Sequence, residues 1–490
     1  MENYIYPMTK PESKPSSWPE QAAILLIAMP VALFFGTWFQ PIPGLPAAAL
    51  TVWVTWKLAS SSLRPLPMPS RKTLLFLALV AVLWTWTTGL GGMYKQMWDH
   101  NFRNALLHDL IDNSWPVIWE TGRGTIALDY YLAWSMAPAL VGKLLGWKAA
   151  ILSMAAISAV GVFLVQLIFV RILGRWQWWI PMILVLWGGL DILGWGVRGE
   201  APNPKFIETW SLPLWYLSHL MTYFCTPHLA IPGWLVTLLL AGRMVGPTGV
   251  LALSAFLVPL APFQAIGIAP VLAWNLLQGE VGFLQRLRRA ISLENILAPL
   301  AFVGMCAPYF LANQGAGIKS GWILTSLPWS TAKISLHFGV FVALEVLIPS
   351  VAIWMAGQRD RLFLLTVVAL CAIPLRISGL SNDFALKVSV PGLLILTLYT
   401  ARAFLSNPKG LAKWFLIGSF AVGAVTPLHE LGVSTYYTFR SEKSLEADAV
   451  KTYDPDEIPA INNSDVLQNF RSKPLEEHPL LRWMLVGTSR

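Results

Sequence analysis

Residues 149–170 read AAILSMAAISAVGVFLVQLIFV, twenty-two residues without a charge. As a helix this run is about 33 Å long, enough to cross a hydrocarbon core of roughly 30 Å while satisfying its own backbone groups. Arg171 and Arg175 follow it directly. Working outward, hydropathy with Pro and Gly as breaks gives further spans near 21–39, 44–59, 73–91, 178–196, 229–242, 248–260, 262–278, 294–312, 334–356, 362–375, 388–404 and 411–428. Composition agrees: 55% of the 490 residues are hydrophobic and 12% charged, against roughly 25% charged in soluble domains. The expected class is an all-α integral membrane protein of about thirteen transmembrane helices. Pro259 and Pro262 interrupt the pair 248–260 and 262–278, which reads as one broken helix or a re-entrant unit.

The formal charge of +9 comes from short clusters between apolar runs, not from one interleaved patch, so nucleic acid is not an expected partner. Cys225, Cys306 and Cys371 show no CxxC pair or metal spacing and read as packing residues. Met1 to Pro19 lacks the parts of a signal peptide, so the first apolar segment is expected to stay as an anchor. No sustained repeat is visible, which weakens a transporter built from inverted repeats.

Orientation follows from the cations. Lys57, Arg64, Arg71, Lys72, Arg171, Arg175, Arg243, Arg286, Arg288, Arg289, Arg359, Arg361, Arg402, Lys409 and Lys413 all fall on one side if the N-terminus is cytoplasmic. The expected organisation is a cytoplasmic tail over 1–20, a polytopic domain over 21–428 with a large outer loop at 92–148, and a polar non-cytoplasmic tail over 429–490. That tail carries Asp454, Asp456 and Glu457 around Pro455 and is expected to pack on the outer loops. The stretch 128–145, LDYYLAWSMAPALVGKLL, decides the parity. Counting it as a span would put Arg171 and Arg175 outside. It is therefore read as a helix lying in the outer interface, with Tyr130, Tyr131 and Trp134 at headgroup depth and Lys143 snorkelling.

Residues 97–116, MWDHNFRNALLHDLIDNSWP, form a second interfacial element. In a helix Phe102, Leu106 and Leu110 share a stripe beside Leu107 and Ile111, with Arg103, Asn104, His108 and Asp112 elsewhere. Asp99 stands where a carboxylate caps a helix, and on pattern alone it is a cap, with Asp109 and Asp112 solvated.

An acid just after an early span, an amphipathic helix, Trp115, Tyr130-Tyr131 and then Lys143-Leu144-Leu145-Gly146 resemble the first outer loop of the GT-C superfamily of membrane glycosyltransferases. The helix ending in Arg171-Ile172-Leu173-Gly174-Arg175 resembles that superfamily's second conserved-core helix. The likeness covers about residues 73–200. It implies a hexosyl- or pentosyltransferase using a polyprenyl-phosphate-linked sugar, with a glycan, lipid or protein as acceptor, in a bacterial inner membrane. It also implies that Asp99 is the loop acid, a general base or acceptor-orienting group. Many members have a second acid directly after the first; this chain has His100, so a divalent cation is left open and no metal ligand is assigned. Two spans precede the conserved helix here, where many members have none.

A carboxylate at that depth has independent chemical sense, since an acceptor hydroxyl attacks an anomeric carbon more readily when its proton is taken as the bond forms. Beside Asp99, His100 and Arg103 are candidates for substrate contact. The donor phosphate needs cationic or backbone donors, and the segment 376–387, RISGLSNDFALK, offers Arg376 and Lys387, with Asp383 between them. Both cations also fit plain snorkelling. Asp191, after Gly188 and Gly189, is an intramembrane carboxylate and a functional candidate by default. His228, ahead of Pro232-Gly233, could touch substrate or bond a freed backbone group. His337 and Glu345 lie at helical spacing and read as a buried polar pair. Most of the 25 Trp suit an interfacial belt. The alternative function is a transporter or flippase of lipid-linked saccharides.

Overall fold

The computed structural model describes residues 15–60, 63–122, 124–277, 283–315, 320–379, 382–440, 444–447, 450–455, 466 and 468–487. The N-terminal tail before residue 15, and Asp456 and Glu457, lie outside the described residues. Each of the thirteen predicted segments coincides with helix. Six helices are long and apolar enough to cross a membrane: Trp18–Trp38, Trp147–Leu173, Ile180–Arg198, Leu293–Leu311, Thr331–Met355 and Gly410–Arg440. Shorter apolar helices occupy Pro227–Ala241, Pro247–Leu260, Pro262–Leu277, Arg361–Leu375 and Val390–Leu405. The outer surface carries Leu25, Val52, Leu75, Val82, Leu152, Leu300, Leu336 and Val368, all exposed. An apolar girdle of this kind suits lipid and not water. The protein is an integral membrane protein.

Helices α1 (Trp18–Trp38) and α2 (Pro41–Ser60) form a tight hairpin. Gly44 makes the approach possible, since a Cβ there would sit 2.4 Å from the Phe35 carbonyl oxygen. Two short strands, β1 (Pro15–Ser16) and β2 (Leu66–Pro67), pair antiparallel at one end, with Ser16 opposite Leu66. α3 (Arg71–Thr87) packs on α6 (Trp147–Leu173). α6 stops at Gly174, whose φ of +66° suits a residue without Cβ. Arg171, expected among the basic loop residues, is instead buried. It pairs with Glu20 and donates to the carbonyls of Ser16, Leu66 and Pro67, tying α6 to the strand pair.

Between α3 and α6 lies the large loop, built from α4 (His100–Asp112), the hairpin β3 (Ile118–Thr121) and β4 (Gly124–Ala127), and α5 (Ala133–Leu145). The helix predicted over 128–145 begins only at Ala133. Residues 128–132 are irregular because their backbone bonds to other segments: Leu128 bridges to Arg471, and Asp129 N–H donates to the Phe470 carbonyl at 3.1 Å. The thirteen residues of α5 cover only about 20 Å, too short to cross. Gly146, at φ +83°, turns the chain sharply into α6. Lys143 does not merely snorkel: its ammonium donates to the Ile111 and Asn113 carbonyls and sits 5.3 Å from the Trp115 ring, closing the end of α4.

α7 (Ile180–Leu186) and α8 (Asp191–Arg198) are two halves of one span broken at Trp187–Leu190. Gly188 and Gly423 meet backbone to backbone there; a Cβ on Gly423 would lie 2.5 Å from the Gly188 oxygen. α9 (His219–Cys225) and α10 (Pro227–Ala241) are likewise separated at Thr226. Every side chain of α10 is buried, as expected for a helix apolar all round. The break expected near Pro262 is present, at Ala261 between Leu260 and Pro262.

Two further expectations are corrected. The polar tail does not begin at His429, because the last long helix runs on to Arg440, burying Thr426, Pro427, Glu430 and Ser434 on one face. Beyond it the chain doubles back onto the large loop. His337 and Glu345 are not partners either: His337 Nε2 bonds the Ser211 carbonyl at 2.7 Å, and Glu345, in a π-helical turn, accepts from Trp210 Nε1 at 3.1 Å.

Candidate functional site

The predicted stripe of α4 is buried as expected: Phe102, Leu106, Leu107 and Leu110. Its opposite side is covered in part by the C-terminal segment, at Asn104 and Asp109. Asp109, read as solvated, is buried and accepts from Thr452 Oγ1 and from Tyr453 N–H at 2.7 Å. Burial pushes its carboxyl up to about 6. Asn104 donates to Gln96 Oε1 and to the Ala447 carbonyl, and Ala447 N–H donates to Gln96 Oε1, at 2.9, 2.7 and 2.7 Å. Asp112 is exposed.

Asp99 is not a cap. Its backbone is already helical, at φ −56° and ψ −28°, and its side chain makes no capping bond, whereas a cap residue needs an extended backbone to reach the free N–H groups. The turn starts earlier, with His100 N–H on Met97 O and Asn101 N–H on Trp98 O. Asp99 is half-buried and faces Arg103 one turn on, at 3.5 Å.

The break at Thr226 gives α4 its second contact. The last carbonyls of a helix lack intrahelical partners, and here those of Phe224 and Cys225 accept from His100 Nε2 at 3.0 Å and Arg103 Nε at 2.8 Å. His100 is held neutral, lowered to about 3 by burial and by the Arg103 charge. Its Nε2 must therefore carry the proton, leaving Nδ1 as an acceptor.

These contacts border a cleft with about 560 Å³ of empty space, its mouth included. One end is apolar, lined by Leu90, Leu106, Leu107, Ile151 and Met154; the other presents Gln96, His100, Arg103, Asn104, Tyr130, Tyr131, Ser135 and His228. His228 is buried, and among the described residues its Nε2 has no hydrogen-bond partner. Arg103, Lys387 and His100 all lie near enough to act electrostatically on that ring, and Tyr130 lies 6.0 Å from it, centroid to centroid. Lys387 reaches the same end, 5.4 Å from the Tyr131 ring and 3.1 Å from Asp383. Burial alone would lower its ammonium, but Asp383 and then Tyr131 outweigh it and raise it above its ordinary value. Burial also raises the Tyr131 phenol above its usual range.

His100, Arg103, His228, Lys387 and Asp383 thus converge, with Asp99 attached through Arg103. Arg376 and Asp191 stand apart from this cleft's lining. Arg376 lies on β6 (Arg376–Ile377), which pairs with β5 (Gly321–Trp322), and donates to Ser320 Oγ at 2.7 Å. Asp191 accepts from Thr426 at 2.9 Å, and both it and Glu345, which accepts from Trp210, are buried. Glu208 and Glu430 lie nearby, accepting from Ser218 N–H and Ile207 N–H. Among the described residues no three His, Cys, Asp or Glu side chains are arranged to hold a metal. In the cleft, His100 Nε2 is committed to a carbonyl and Asp383 to Lys387.

Sequence reasoning missed Tyr453 and Phe470, whose rings stack behind Tyr130. The one available signal was an aromatic residue on each side of a polar stretch.

No protein-family model matches the chain, and no curated protein does. Among solved structures it is similar to the mycobacterial arabinofuranosyltransferase AftD, at 17% sequence identity and a TM-score of 0.37, over 77% of this chain and 27% of that one, so that it spans about a quarter of AftD's length.

Proposed function

We propose that this chain is a membrane glycosyltransferase of GT-C type, moving a sugar from a polyprenyl-phosphate-linked donor to a glycan, lipid or protein acceptor on the non-cytoplasmic face. The observation that carries the reading is the cleft's two-ended character: an apolar end suited to a prenyl chain, and a polar end lined by Arg103 and by His228, whose Nε2 has no partner among the described residues, with Lys387 5.4 Å from the lining Tyr131 ring. A phosphate is the natural group to sit among two cations and an imidazole. In the reaction the acceptor oxygen attacks the anomeric carbon, the bond from that carbon to the phosphate oxygen breaks, and polyprenyl phosphate leaves with the bonding pair. Arg103 and Lys387 stabilise that anion, and Asp99 takes the acceptor's proton.

Lys387 and Arg376 separate this reading from interfacial snorkelling. Lys387→Gln is expected to weaken donor binding about ten- to a hundredfold, the loss of a charge-assisted bond. Arg376→Gln, removed from the cleft, should leave it unchanged. Titrating purified protein with a short-chain polyprenyl-phosphate sugar measures both, and unchanged affinity in the Lys387 variant returns that residue to snorkelling.

One observation favours the transporter alternative: the buried carboxylates Asp191 and Glu345 stand beside the broken segment at Gly188 and Gly189, and transporters place binding sites at such breaks. A transporter yields no glycosidic product. Incubating purified protein with labelled donor and candidate acceptors in detergent decides between the two, since vectorial movement is impossible there and transfer is not.

A further inference from the structure

Tyr130 is held by the far end of the chain. Its ring stacks on Phe470 at 4.3 Å and 25°, and Phe470 stacks in turn on Tyr453 at 4.4 Å and 10°. Both supports are fixed at their backbones. Phe470 O accepts from Asp129 N–H, and Ser472 N–H donates to Ala127 O at 2.9 Å, so the segment leading to Tyr130 is bonded at Phe470 itself and two residues beyond it. Tyr453 is clamped to α4 by its N–H on Asp109 and its hydroxyl on the Phe102 carbonyl at 2.9 Å, while Arg471 Nε donates to its own carbonyl at 2.9 Å. Tyr130 therefore has one face occupied by Phe470, while its remaining surroundings include Tyr131 and His228, both lining the cleft.

We infer that the C-terminal segment is a wall of the functional site, with Phe470 a positioning residue that sets Tyr130 as a platform for the transferred sugar. This rests on the glycosyltransferase reading. A sugar ring presents a patch of C–H groups, and an aromatic face held at fixed tilt receives it with little loss of side-chain freedom. Tyr130 unsupported would have two open faces and several rotamers; stacked on Phe470 it has one face and one direction. Tyr453 acts a step further back, by holding Phe470.

The test is a double-mutant cycle on Tyr130 and Phe470, read in binding of a polyprenyl-phosphate sugar, in KM and kcat of transfer, and in thermal stability. Phe470→Leu keeps apolar bulk but removes the flat support. It is expected to raise the donor Kd and KM about three- to tenfold, with kcat changed less than twofold and Tm held within a few degrees. Phe470→Tyr, which keeps the ring, should restore wild-type values. Tyr130→Leu should produce a loss of the same size, and the double variant should lose no more than Tyr130→Leu alone, because Phe470 acts only through Tyr130. Losses that add in the double variant, or a Kd unchanged in Phe470→Leu, overturn the inference. If wild-type protein binds the donor but transfers nothing, the enzyme reading fails while the non-additive binding still supports Phe470; a wild type that does not bind the donor overturns both.

Discussion

Asp99→Asn is expected to cut sugar transfer by about a hundredfold or more while leaving donor affinity and thermal stability close to wild type. Asn keeps the size and polarity of the side chain but cannot take a proton at neutral pH, and general-base catalysis contributes typically 10² to 10⁴-fold. The structure sharpens the comparison with a purely structural role. Since Asp99 makes no capping bond, even Asp99→Ala should cost little stability. What it loses is a partly exposed ion pair with Arg103 at 3.5 Å, of a kind worth about 0–1 kcal/mol. Arg103 stays anchored on the Cys225 carbonyl. A loss of transfer in both variants, with unfolding curves overlaying the wild type, is the expected pattern. Transfer at wild-type rate in the Asn variant removes Asp99 from the chemistry.

The largest effect on stability is expected at the other end of the bundle. Glu20 and Arg171 have side chains 0% and 1% exposed, and they pair directly. Glu20→Ala leaves the Arg171 guanidinium buried with only the carbonyls of Ser16, Leu66 and Pro67 around it. Removing one partner of such a pair costs about 3–5 kcal/mol, because an uncompensated charge stays behind. The Tm of the purified protein should fall by many degrees. Replacing both residues with Met should be less damaging than Glu20→Ala, since no buried charge is stranded. A Glu20→Ala variant as stable as wild type would show that water reaches Arg171.

Much of the frame is legible in the sequence because lipid imposes a strong rule: a crossing segment must be apolar, long and helical. That rule finds the six long apolar helices and the break at Pro262. The stripe Phe102, Leu106, Leu110 is legible for a similar reason, since helical periodicity is local. What fails is whatever depends on distant partners. Asp99 looks like a cap because the pattern shows residue type and not backbone angle, and the turn that starts at Met97 places it two positions too late. Asp109 looks solvated because its partners, Thr452 and Tyr453, lie more than 340 positions away. Residues 128–132 read as helix on composition, yet their backbone bonds go to 470 and 471. Arg171 reads as a loop cation because nothing local announces Glu20. The candidate site is marked only in part by local pattern, for the same reason: His100, Arg103, His228 and Lys387 stand out as polar groups in apolar surroundings, but only the fold brings the first three to one cleft, with Lys387 beside Tyr131, and leaves Arg376 and Asp191 out of its lining.

The most direct measurement is an experimental structure of the protein with a non-transferable polyprenyl-phosphate-sugar analogue bound. The phosphate is expected among Arg103, His228 and Lys387, with the prenyl chain leaving past Leu106, Leu107 and Ile151 and the anomeric carbon turned toward Asp99. A phosphate bound elsewhere, beside Asp191 and Glu345 or on Arg376, would contradict it.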